Sequence, residues 1–224
     1  MATIPATHDD LFEELRGSVP LQFLRALGWM ESRLNPAAKT GKHWGLFQAG
    51  PENLSDYNAT KGTSYGSDYL LDARVNTQVF LWELRRILRS LAAGGLPPDW
   101  GDDSFVAIVV MAWNAGWSKR GGVRRVLDYL RQKGLPLDYE TIASNAAKAG
   151  AASTLSSVAK QQWQRATAAL YRQLERAPSD PIAPTAAAKL QAIQPAGRLP
   201  GRLGDWGWLA ILLGIVYLTD IKKR

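Results

Sequence analysis

Residues 24–51 read LRALGWMESRLNPAAKTGKHWGLFQAGP, and the first third of this stretch decides the fold class. Leu21, Leu24 and Leu27 recur at helical spacing after Ser18-Val19-Pro20, a plausible helix start, and Glu31 continues the same stripe. It lies four residues beyond Leu27 and seven beyond Leu24, so a helix projects its carboxylate from their apolar face. Asn35-Pro36 and a glycine-rich segment then break the helix. A carboxylate so placed is partly desolvated and lies near the negative end of the helix dipole. Both effects raise its pKa, which suits a general acid that must hold a proton near neutral pH. The plain alternative is a rim glutamate, exposed or paired with Arg25 or Arg33.

The pattern outward from this stretch is also helical. From Arg74 to Leu91, Val75, Val79, Leu84, Ile87, Leu88 and Leu91 form one broad apolar face. SFVAIVVMAWNAG, from Ser104, is rich in β-branched residues that favour strands, but its length and the Asp102-Asp103-Ser104 cap predict a buried helix ending near Gly116. A further helix is expected over residues 161–176. Residues 50–67, rich in Gly, Asn, Ser and Asp, read as a long loop, and no strand-turn-strand pattern stands out. The fold class is all-α or nearly so.

The chain has 224 residues, 46% of them hydrophobic, enough for one packed domain with appendages. With no cysteine, disulfides and thiolate metal sites are excluded, and two histidines, His8 and His43, make no metal cage. A net charge of +7 favours polyanionic surroundings. Its Lys and Arg are spread along the chain with only short clusters, so no nucleic-acid partner is expected. Nine tryptophans are many for this length. Most such rings are core, but flat indole faces also stack on sugars.

Residues 1–176 form the expected domain. Residues 177–204 hold five of the twelve prolines and no long apolar period, as a linker does. Residues 205–224, DWGWLAILLGIVYLTDIKKR, carry an uncharged run from Trp206 to Leu218 with aromatic edges and a basic end. That reads as a membrane-anchoring or transmembrane segment, although the run is shorter than the ~20 residues of a full span. The first residues, MATIPATHDDLFEEL, do not read as a secretory signal.

The segment ESRLNPAAKTGKHWGLFQAGP resembles the catalytic segment of the lytic transglycosylase (soluble-transglycosylase, lysozyme-like) family. Glu31-Ser32, Asn35-Pro36, Ala38, Thr40 and Gly45-Leu46-Phe47-Gln48 fall in that family's order. MAWNAGW, residues 111–117, is similar to its Ala-Tyr-Asn-Ala-Gly box, and Asp72 with Asn76 to its Asp-x-x-x-Asn helix. Trp163 and Tyr171 stand for its closing aromatic helix. The likeness covers about residues 15–175. The chain departs from the family at Thr40 for serine, Phe47 for methionine and Trp113 for tyrosine. It also has a turn one residue short before Gly45, which directs Trp44 or His43 toward the sugar.

The resemblance implies a lysozyme-like domain that cleaves the β-1,4 bond between N-acetylmuramic acid and N-acetylglucosamine in peptidoglycan, leaving 1,6-anhydro ends, with no metal and no cofactor. Glu31 is then the acid, and Ser32, Thr40, Gly45, Gln48, Trp113 and Asn114 bind the substrate. Substrate-assisted glycosidases manage with one carboxylate, and Phe47, Trp44 and Trp113 are expected to shield the cleaved bond. A water-using muramidase of goose-type lysozyme likeness is the alternative, with Glu52, Asp56 or Asp68 as base. Two readings of another kind are a non-catalytic wall-binding protein and a membrane-perturbing protein acting through its tail. A basic end beyond the apolar run puts the domain on the periplasmic or wall side. With no leader to carry it there, a virion-borne enzyme that opens the wall during phage entry is expected, with virion proteins as further partners.

Overall fold

The computed structural model describes residues 4–118 and 120–176, and the expected linker and anchor lie outside them. Among the described residues the chain is almost wholly helical: α1 (Asp9–Leu15), α2 (Leu21–Ser32), α3 (Pro51–Lys61), α4 (Ala73–Ala93), α5 (Asp103–Ala115), α6 (Val123–Lys133), α7 (Tyr139–Asn145), α8 (Ser153–Ser156) and α9 (Val158–Arg176). A 3-10 turn, Ser67–Leu71, precedes α4. None of these helices is long and apolar enough to cross a membrane.

Helix α5 is the centre. Every residue from Phe105 to Ala112 is buried, as expected of a helix apolar on all sides. Asp102 caps it, accepting from the N–H groups of Ser104 and Phe105 at 2.9 and 3.2 Å. Burial on every side overrides the strand preference of its β-branched residues. Around it pack α4, α6, α7, α8 and α9, with α9 lying against both α2 and α5.

Two aromatic clusters fill the core. Phe23, Trp100, Phe105 and Tyr171 join α2, α5 and α9, with centroids 4.8 Å apart for Phe23–Trp100. Tyr171 therefore belongs to the core. The second cluster runs from Phe12 through Phe47 and Phe80 to Trp113. Phe47 stacks on Phe80 at 4.1 Å, and Phe80 meets Trp113 edge-on at 4.8 Å.

Two expectations need correction. Residues 51–61 are helical, not part of a loop. Pro51 starts α3, where a missing N–H costs nothing, the Asn53 side chain takes the Gly50 N–H at 3.0 Å, and Gly62 ends it in the left-handed region at φ 67°. Only Leu54 and Tyr57 are buried, so the apolar stripe was too thin to read. There is also a strand pair, a minimal hairpin of β1 (Lys39–Thr40) and β2 (His43–Trp44), with Lys39 opposite Trp44. Two residues a side are too few to show alternation.

Candidate functional site

Glu31 stands in the last turn of α2. The helix ends because Arg33 and Leu34 both turn left-handed, at φ 60° and 58°. Their N–H groups return to Trp29 and Gly28 carbonyls at 3.0 and 3.2 Å, a closure that satisfies the helix end. The stop thus comes three residues before Pro36. Two consecutive non-glycine residues in this region store strain directly after the carboxylate. Arg25 turns away to the Ile4 carbonyl (2.9 Å) and Asp9 (3.6 Å), and the Arg33 guanidinium lies 4.8 Å over the Trp29 ring.

Glu31 keeps a window to solvent but is densely surrounded, so charge on it is poorly hydrated. Burial pushes its carboxyl up to about 8, against the opposing pull of the Lys160 cation on α9 and of a hydrogen bond from Trp113. In that bond Trp113 Nε1 donates to Glu31 Oε1 at 3.1 Å, joining residues 82 apart in the chain.

The loop from Gly45 to Gln48 is locked from below. Asn76, wholly buried on α4, accepts from the Phe47 N–H (2.9 Å) and donates to the carbonyls of Trp44 (2.8 Å) and Leu70 (2.9 Å). Asp72 caps α4 by accepting from Val75 N–H at 2.9 Å. Gly45 sits at φ 81°, and a Cβ there would fall 2.1 Å from the Leu70 carbonyl and 2.3 Å from Asn76 Nδ2. Only glycine fits. Ser32 is buried, its hydroxyl donating to the Leu46 carbonyl at 2.8 Å with the Gly28 carbonyl at 3.2 Å. It ties the Glu31 turn to the loop from inside, which is not where a sugar would meet it.

Gln48 is left-handed at φ 51° and only 8% exposed. Its Nε2 donates to the carbonyls of Gly45 (2.9 Å) and Ala38 (3.3 Å). Two carbonyl partners fix the amide orientation and leave Oε1 buried with no donor among the described residues. Asn114 Oδ1 is in the same condition. Both oxygens are enclosed, so neither is open to a ligand in this conformation. Thr40 is exposed on the hairpin. Trp44 packs partly into the core cluster around Val79 and Trp82, with Lys39 Nζ 4.0 Å from its ring centroid and its N–H on the Gly41 carbonyl at 3.1 Å. Phe47 is fully buried, so it braces Phe80 and Trp113 from beneath and does not itself screen a substrate.

The three carboxylates named as bases are spread outward. Glu52 pairs with Lys42 at 2.9 Å and Asp56 with Arg86 at 3.5 Å, both on α3, and Asp68 is exposed in the 3-10 turn. A carboxylate that sequence reasoning missed is Glu83 on α4, only 8% exposed. It accepts from Trp117 Nε1 at 2.9 Å and from Arg86 at 3.0 Å. Its place on the buried side of α4 was the available signal. A cavity of about 470 Å³ lined by Asp56, Ala59, Thr60, Trp82, Arg86 and Arg89 lies beyond it. One of its lining residues, Arg86, is the partner of Glu83.

A carboxyl that burial pushes up to about 8, at the end of a helix and with an indole N–H on it, can donate a proton near neutral pH. No family model, no curated protein and no solved structure matches the chain.

Proposed function

We propose that the protein is a peptidoglycan lytic transglycosylase. The observation that carries this reading is the Trp113–Glu31 bond. It brings the residue 111–117 box onto a carboxyl that burial pushes up to about 8. Support also comes from Asn76, which holds the Gly45–Gln48 loop beside the same helix end through Ser32.

On this reading Glu31 gives its proton to the glycosidic oxygen as the bond from the muramic-acid C1 breaks, and N-acetylglucosamine leaves with a free 4-hydroxyl. The substrate's own N-acetyl oxygen stabilises the positive C1. Glu31, now a carboxylate, takes the proton of the muramic-acid 6-hydroxyl as that oxygen closes on C1. The acid is regenerated and no water is consumed. Thr40 offers an exposed hydroxyl from the hairpin, and Gln48 and Asn114 bind the sugars once their enclosed amides turn outward. Two of the three bases named for the water route are engaged by cations, Glu52 by Lys42 and Asp56 by Arg86, and the third, Asp68, is exposed in the 3-10 turn. The same reading puts the enzyme at the cell wall, anchored through residues 205–224 and carried by a virion.

Mass spectrometry of digested peptidoglycan tests this. New ends should be one water lighter than those lysozyme leaves. Incorporation of heavy oxygen from labelled water into the new ends would identify a muramidase instead.

A further inference from the structure

Glu83 poses a question that the proposed chemistry does not answer. Burying a carboxylate costs several kcal/mol unless strong partners surround it, yet α4 carries one whose two oxygens are used by an arginine and by a single tryptophan N–H. Trp117 follows Gly116 directly after α5 and is only partly buried. Among the described residues no aromatic ring stacks on it and no cation lies over it. Its N–H is fixed, and part of the side chain is open to solvent.

Its position can be read from α4. Trp113 packs on Phe80 and Trp117 hydrogen-bonds Glu83. Phe80 and Glu83 are three residues apart, hence neighbours on one face about 5–6 Å apart. The two indoles therefore meet α4 at neighbouring side chains on one face. Trp113 holds Glu31 by its N–H, and Trp117 is held by Glu83 in the same manner one step along.

We propose that Trp117 is a sugar-stacking platform for the glycan residue next to the cleaved bond, and that Glu83 is its positioning residue. This rests on the protein being a glycan-cleaving enzyme. The ligand class is an N-acetylated hexosamine, whose apolar ring face covers the indole. Glu83 keeps the indole from turning into the apolar core nearby, and Arg86 holds the other Glu83 oxygen at 3.0 Å.

The test uses the full chain carrying Glu31→Gln, which binds without cutting, and peptide-free strands of alternating N-acetylglucosamine and N-acetylmuramic acid. Binding is followed by tryptophan fluorescence and by the indole N–H resonance of Trp117. Trp117→Ala should weaken Kd about tenfold, and Trp117→Phe, which keeps a ring, by no more than about threefold. Glu83→Leu should weaken binding nearly as much as Trp117→Ala, and Glu83→Gln, which restores an acceptor for the N–H, should rescue most of it. Thermal melts of each variant separate this from unfolding. If the parent binds strands and Trp117→Ala binds them equally well, the platform is wrong and the enzyme reading stands. If Glu83→Leu binds like the parent, the positioning role is wrong. If the parent binds no strand and the wild-type chain cuts none, the enzyme reading fails and the platform with it.

Discussion

Glu31 sets proton affinity against folding. Its carboxyl is pushed from an ordinary 4.5 up to about 8, so between those values the folded chain holds a proton that the unfolded chain has lost. Stability therefore falls as pH rises through that window, is unaffected by Glu31 below about 4.5, and reaches its full loss above about 8. Glu31→Gln has nothing to titrate and keeps an oxygen for the Trp113 N–H. It should melt with the wild type at pH 4 and be more stable by about 1–3 kcal/mol at pH 8, while losing all cleavage. Equal melting curves at both pH values would show that the carboxyl is not buried. The wild-type rate should fall as pH rises through about 8, because the protonated form is the active one. Lys160 opposes the shift, so Lys160→Met should move that alkaline limb higher; a pH–rate profile reads it directly. At this scale the stripe of Leu24, Leu27 and Glu31 made the inward carboxylate legible. Lys160, Glu83 and Trp117 were not, since each acts through a partner far away in the chain and no local spacing announces such a pair.

Between residue and molecule stands the Gly45–Gln48 loop, whose shape depends on α4. Asn76 makes three hydrogen bonds to its backbone and its surroundings while wholly buried. Removing it leaves the Phe47 N–H and two carbonyls without partners, each at about 1–3 kcal/mol. Asn76→Ala should therefore cost roughly 3–5 kcal/mol in a urea titration. Asn76→Asp should be no milder, because it keeps the acceptor but loses both donated bonds and buries a charge. A loss under about 1 kcal/mol for either would mean that the loop finds its own shape without α4. The Asp72 and Asn76 spacing was readable from sequence as part of a family pattern, yet nothing in it told a structural clasp from a sugar contact. The helices with wide apolar faces, α2, α4, α5 and α9, were equally readable. Helix α3 was hidden by its thin stripe of Leu54 and Tyr57, and the hairpin by its length.

For the molecule as a whole, the separation of body and tail is what remains to argue. Helix α9 buries Gln164, Thr167, Ala168, Leu170, Tyr171 and Leu174 against α2 and α5 and ends at Arg176. Tyr171 and Phe23 close the aromatic cluster there. The inner faces of α2 and α5 are thus covered by described residues, and the reacting carboxyl, Trp113 and the loop all belong to the same core. This all-helical plan followed from periodicity, because burial of α5 on every side and of α2 and α9 on one is written in which positions are apolar. The role of residues 205–224 rests on their composition: an uncharged apolar run followed by Lys222-Lys223-Arg224. Deleting them should leave the melting temperature within about 2 °C of the full chain, a change of less than about 1 kcal/mol. Cleavage of purified peptidoglycan in solution should persist. The full chain should float with vesicles containing anionic lipid and the shortened chain should sediment, with salt weakening the basic contribution first. A shortened chain that melts many degrees lower would mean that Trp206 to Leu218 complete the core, and one that still floats would move the membrane contact onto the helical body.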